Sequence, residues 1–154
     1  MSIRPIRAAE LPELLELCAE HAAYERSSFE VGGQIERWRR DLASERLRVW
    51  VAAGAERLEG FAAVSLEYST WRAESYLHLD CLYVRESARG RGWGSRLLAA
   101  AREHAESAGC REIQWQTPPW NEKAVEFYSA RGASAQPKLR FSLAIEPAAL
   151  APED

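Results

Sequence analysis

Six consecutive residues, Arg89-Gly90-Arg91-Gly92-Trp93-Gly94, carry the most chemistry in this chain. Residues 79–84 before them (Leu-Asp-Cys-Leu-Tyr-Val) are apolar and rich in β-formers. Residues 95–108 after them place Leu97, Leu98, Ala101 and Ala105 at helical spacing, and Gly109 is a stop signal. The glycines therefore fall where unpartnered N–H groups and the positive end of the helix dipole favour an anion. Two arginines at a helix start oppose that dipole, by about 0.3–1 kcal/mol each, unless a polyanion sits there. The arrangement predicts a pyrophosphate site. A Walker loop would end in Gly-Lys-Ser/Thr, whereas Gly94 runs into Ser95-Arg96. A dinucleotide fingerprint needs G-x-G-x-x-G and a later carboxylate; here the spacing is G-x-G-x-G, and the next strand ends in Thr117-Pro118. The bland alternative is a glycine-rich turn with two solvated arginines.

The elements that must position this loop follow from the apolar pattern. Residues 3–7 read as a short strand, and Leu11, Leu14, Leu15 and Cys18 mark an amphipathic helix reaching Tyr24. Ile35, Trp38 and Leu42 mark a second helix. Residues 49–53 and 58–69 form a hairpin, and 76–84 a third long strand. Residues 113–116 are a short strand. Asn121 caps a helix carrying Ala124, Phe127 and Tyr128, which Gly132 ends, and residues 139–145 read as a last strand. Helices, a β-meander and then a β-α-β-α-β run predict an α/β fold with a mixed sheet. The expectation is one domain over residues 1–146 and a loose tail over 147–154.

Composition narrows the function. A net charge of −3 gives no basic surface for nucleic acid or anionic membrane. No apolar run approaches the ~20 residues needed to span a bilayer, and no signal-peptide core is visible. Cys18, Cys81 and Cys110 are an odd set without paired spacing, which reads as reduced thiols in the cytoplasm. His21, His78 and His104 are scattered, and no metal signature appears.

These residues resemble the GCN5-related N-acetyltransferase (GNAT) superfamily. Its acetyl-CoA loop, Arg/Gln-x-x-Gly-x-Gly/Ala, matches Arg89 to Gly94, and its later helix pattern of Asn, Ala, Phe-Tyr and Gly matches Asn121, Ala124, Phe127-Tyr128 and Gly132. The likeness runs over residues 3–145. Trp120-Asn121-Glu122 with Arg131-Gly132-Ala133 is most similar to the diamine (spermidine/spermine) branch, although Arg26-Ser27-Ser28 after Tyr24-Glu25 departs from it. The resemblance implies a mostly antiparallel sheet of six to seven strands with about four helices, acetyl-CoA as co-substrate, no metal and a homodimer. It implies direct attack of a primary amine of a small molecule on the thioester, within a ternary complex.

An aliphatic amine with a pKa near 10.4 costs about 4.6 kcal/mol to deprotonate at pH 7. The resemblance assigns the oxyanion donor to the Leu82 N–H, pantetheine to Leu82, Tyr83 and Val84, and the general acid to Tyr128. Asp80, a carboxylate inside an apolar strand, is the base candidate; its alternative is a solvent-facing strand position. Gly90, Gly92, Trp93, Gly94, Ser95, Asn121, Ala124 and Tyr128 are assigned to the cofactor with Arg89 and Arg91. Tyr24, Glu25, Trp71, Asp80 and Trp120, with Glu67 and Glu74, could line a pocket for a cationic amine. Three readings stay beside this one: a protein or peptide N-acetyltransferase, a silent acyl-CoA-binding domain and, more distantly, a nucleotide binder.

Overall fold

The computed structural model describes residues 1–146; the tail expected over 147–154 lies outside the described residues. The chain forms two compact units, Met1–Gln116 and Thr117–Asp154. The first holds β1 (Ser2–Pro5), α1 (Leu11–Tyr24), α2 (Gln34–Ala43), β2 (Arg48–Ala53), β3 (Leu58–Ser69), β4 (Glu74–Val84), α3 (Trp93–Ser107) and β5 (Ile113–Gln114). The strands lie in chain order β1-β2-β3-β4-β5. Neighbours are antiparallel except β4 and β5, which pair in parallel after the α3 crossover.

Helices cover both faces of this sheet. Leu11, Leu14 and Leu17 of α1, with spacing that aligns them on one helix face, pack with Val49, Val51, Phe61, Ala63 and Tyr83. Trp93, Leu97, Ala101 and Ala105 of α3 pack with Ala52, Ala62, Val64, Leu77 and Leu79 on the other side. Each fully buried leucine contributes roughly 2 kcal/mol of transfer free energy.

The membership of these two cores exposes an irregularity in β4. Leu77 and Leu79 face the α3 core, whereas Cys81 and Tyr83 face the α1 core. Strict alternation would keep all four on one side. The register explains the change: Val64 pairs with Leu79 and Ala63 with Cys81, so Asp80 has no partner and forms a β-bulge. One extra residue reverses every later side chain. On β3, Gly60 lies so close to β4 that an added Cβ would sit 2.4 Å from the Tyr83 carbonyl oxygen.

The second unit contains α4 (Glu122–Ser129), whose first turn is capped by the Asn121 side chain accepting from the Ala124 N–H at 3.2 Å. Residues 134–146 form no helix or strand. The strand expected over 139–145 is therefore a correction, and among the described residues the sheet has five strands rather than six or seven. The alternation of Leu139, Phe141, Leu143 and Ile145 supplies an apolar face, but a strand also requires a second backbone for its ladder. All four side chains are 84–88% exposed. The strand expected over 113–116 shortens to two residues, Ile113–Gln114.

Candidate active site

The bulge at Asp80 and the loop before α3 are two irregular points of the first unit, and Asp80, Leu82 and residues 89–95 lie at them. Beyond the bulge, β4 runs along an open edge. β5 pairs only with Leu77 and His78, so residues 79–84 have no strand on that side among the described residues. Arg85 donates its N–H to the Glu59 carbonyl at 2.8 Å, so its main chain faces β3. Main-chain groups alternate sides along a strand. Tyr83 therefore also faces β3, and the N–H groups of Leu82 and Val84 point to the open side. An acyl carbonyl approaching that edge would meet the Leu82 N–H.

The loop after β4 is built for close backbone approach. Gly90 and Gly92 hold φ values of +78° and +81°, a region that disfavours side chains, and a Cβ at either would meet nothing within 4 Å. Gly92 is the N-cap of α3, and its carbonyl accepts from the Arg96 N–H at 3.1 Å. Among the described residues, the N–H groups of Gly92, Trp93 and Gly94 donate to no main-chain carbonyl outside the regular elements. A cradle with open space, spare donors and the positive end of a 15-residue helix fits a diphosphate.

Two side chains at this loop turn toward the body of the first unit. The Trp93 side chain is only 4% exposed and anchors α3 in the core, with the Arg96 guanidinium 4.9 Å from its ring centroid, so what Trp93 presents at the loop is its main-chain N–H. The helix starts there rather than at Ser95 because a buried aromatic ring holds the first turn. The Arg89 side chain, expected at the phosphates, turns back to the sheet and donates from Nε to the Val84 carbonyl at 3.0 Å. Its own N–H is taken by the Glu86 carbonyl at 3.3 Å. Arg91 is exposed and stays at the loop.

On the α1 side of the sheet, Asp80, Cys81, Cys18 and Glu25 share one electrostatic neighbourhood. Burial pushes the Cys81 thiol well up, and the charges of Asp80 and Glu25 push it further. Burial likewise raises the Cys18 thiol to about 11, with Asp80 adding to it. Neither thiol is a nucleophile at neutral pH. Asp80 itself is open to solvent, with 64% of its side chain exposed, and its Oδ1 lies 3.6 Å from Nε2 of His78. Glu25 bonds His21 across one helical turn at 2.7 Å, and His21 stacks on Tyr83 at 5.3 Å between centroids. Sequence reading missed His21 and His78 as neighbours of these carboxylates. The i,i+4 spacing of His21 and Glu25 on a helix and the i,i+2 spacing of His78 and Asp80 on a strand were both visible signals.

Trp71 and Glu74 do not join this group. Trp71 is 99% exposed in the turn linking β3 and β4. Glu74 is ion-paired with Arg72 and Arg111. Six strand residues, about 20 Å, separate Glu74 from Asp80. Glu67 pairs in register with Tyr76, also toward that far end. A hollow of about 410 Å³ lined by Val64, Leu66, Leu77 and His104 opens away from the chemistry, near the end of α3.

Trp120, Asn121, Ala124 and Tyr128 lie in the second unit. The Ala124 N–H is occupied by the Asn121 cap, so the cap accounts for that pair. Tyr128 is half-buried on α4, its ring edge-on to Phe127 at 5.3 Å. Phe127 in turn lies under the Arg131 guanidinium at 3.6 Å.

A sheet with an open, bulged edge beside a glycine cradle has the shape and donors that an extended, phosphate-bearing ligand requires. The model of the Acetyltransferase (GNAT) family matches residues 9–133, spanning both compact units, and the chain belongs to that family. It is an acetyltransferase, and the family uses acetyl-CoA as co-substrate. The chain is 28% identical over 141 residues to thialysine N-epsilon-acetyltransferase of Bos taurus, covering 85% of this chain and 82% of that one. It is 29% identical over 104 residues to an aminoglycoside N(6')-acetyltransferase type 1 of Serratia marcescens, covering 65% and 71%. The fold matches a crystal structure described as a transcriptional regulator from Bacillus halodurans, with a TM-score of 0.79 at 24% identity, over 92% of this chain and 99% of that one.

Proposed function

We propose that this enzyme acetylates a primary amine of a small cationic molecule, by direct attack of the amine on acetyl-CoA in a ternary complex. The observation that carries the reading is the bulge at Asp80, which puts a solvent-open carboxylate two residues before a main-chain N–H on an unpaired strand edge. Acetyl-CoA supplies the thioester. Gly92, Trp93 and Gly94 offer backbone N–H donors to its diphosphate, with Arg91 beside them, and Gly90 and Ser95 complete the loop. The open edge at Leu82, Tyr83 and Val84 receives the extended arm.

The Leu82 N–H stabilises the developing oxyanion, a role in which losing one donor costs about 10²–10³-fold in rate. Asp80 takes the proton from the ammonium, and Tyr128 protonates the departing thiolate. A phenol is a weaker acid than a thiol, so that last transfer is about 2 kcal/mol uphill unless coupled to amine deprotonation. Asp80 and Glu25 make the α1 side acidic, which suits a cationic acceptor, and Tyr24 offers a ring surface for it. The acceptors in the relatives' names, thialysine and aminoglycosides, are amines.

The enzyme acts as a homodimer, a reading supported by the four exposed apolar residues in 139–145. A cytoplasmic location is supported by three free thiols.

The test is a panel of spermidine, thialysine, ornithine, an aminoglycoside and a lysine peptide with acetyl-CoA. Turnover of a small amine, with kcat for Tyr128→Phe lowered about 10²-fold or more, is expected. Turnover of the peptide alone, or an unaltered kcat in Tyr128→Phe, would overturn the acceptor or the acid assignment respectively.

A further inference from the structure

Arg89 is the first residue of the glycine motif, yet its side chain serves the other half of the site. Its Nε donates to the Val84 carbonyl at 3.0 Å. Its guanidinium lies 4.6 Å from the centroid of the Tyr24 ring and 5.7 Å from that of Tyr83. Tyr24 is the last residue of α1, and Glu25 follows it. The Tyr83 ring is stacked from its other neighbour, His21, which holds Glu25. One planar cation thus links the end of β4 to the final turn of α1. The chain beyond α1 bends at once: Arg26 has φ +60°, and the N–H groups of Glu25, Arg26 and Ser27 donate back to the carbonyls of His21, Ala23 and Ala22, which closes the helix at Tyr24.

We propose that Arg89 is a positioning residue for the amine acceptor, holding Tyr24 and Glu25 over β4, and not a ligand of the cofactor phosphates. The inference rests on the acceptor side assigned above. Arginine suits the task because it donates in its own plane to a carbonyl while presenting a flat face to two rings; lysine offers only a point charge. Arg91, exposed and two residues on, is the cation left for the phosphates.

Arg89→Met, Arg89→Lys and Arg91→Met would be compared with the full-length native chain. Calorimetry with acetyl-CoA in the absence of amine should show Arg89→Met binding within about threefold of native, and Arg91→Met binding more weakly. With the best small-amine acceptor of the panel, Arg89→Met should raise the amine KM roughly tenfold while moving kcat less, and Arg89→Lys should recover part of it. A merely structural loss would lower the active fraction and leave KM alone. Hydrogen exchange, which needs no acceptor, should quicken over residues 21–26 in Arg89→Met. Acetyl-CoA affinity falling tenfold or more in Arg89→Met, with amine KM and exchange at 21–26 unaltered, would overturn the proposal. Failure of every amine in the native enzyme would instead sink the acceptor reading, with calorimetry and exchange still deciding the role of Arg89.

Discussion

Asp80 shows how one side chain acquires a role from its backbone. A carboxylate between Leu79 and Cys81 would cost several kcal/mol if buried without a partner. The bulge removes that cost by turning it to solvent, beside His78 and over the thiol of Cys81. Asp80→Asn keeps the shape and removes the proton acceptor. We expect kcat/KM at pH 7 to fall by about 10²-fold or more. The deficit should shrink as pH approaches the amine's own pKa near 10.4, where free amine no longer needs a base. A loss of equal size at every pH would show that Asp80 binds or positions the amine instead. The half-buried thiols beneath it are packing residues, for desolvation and the Asp80 charge both hold Cys18 in its neutral form.

At the level of elements, the site exists because β3 and β4 approach closely and β4 then parts from β5. Gly60 sets the first condition. Its missing Cβ leaves room for the Tyr83 carbonyl, and a backbone atom cannot swing aside as a side chain can. Gly60→Ala should cost about 1–3 kcal/mol of stability by forcing the two strands apart. It should also lower activity in the fraction that stays folded, because Leu82 lies on the displaced strand. Denaturant melts and kcat/KM measured on one preparation check both; native stability in the variant would mean that β3 gives way without consequence. The second condition comes from the length of β5, which pairs with β4 only through Ile113 and Gln114.

For the whole molecule, the unresolved balance is apolar surface. Leu139, Phe141, Leu143 and Ile145 each stand more than four-fifths exposed, although burying one such side chain is worth about 1.5–3 kcal/mol. A sequence with alternate apolar residues and a free backbone is a template for pairing. We expect the native protein to sediment as a dimer, and Phe141→Glu with Leu143→Glu to shift it toward monomer by analytical ultracentrifugation. A native monomer at micromolar concentration would remove the dimer from the functional reading.

By itself the sequence determined the element order, the cap at Asn121, the glycine cradle before α3 and the family, because these depend on short-range rules. Propensity, periodicity and φ > 0 at Gly92 act within a few residues of one another, and the glycine and Asn–Phe–Tyr motifs are local strings. Tertiary structure alone decided where those parts point. The bulge is a mismatch of register between two strands, invisible in either. It reversed the faces of β4, freed Asp80 and aligned the Leu82 N–H with the open edge. The turning of Arg89 toward Tyr24, some 65 residues away in the chain, and the burial of Trp93 needed the packed sheet. The segment 139–145 marks the limit of pattern reading: alternation specifies a face, but only a partner strand makes it a strand.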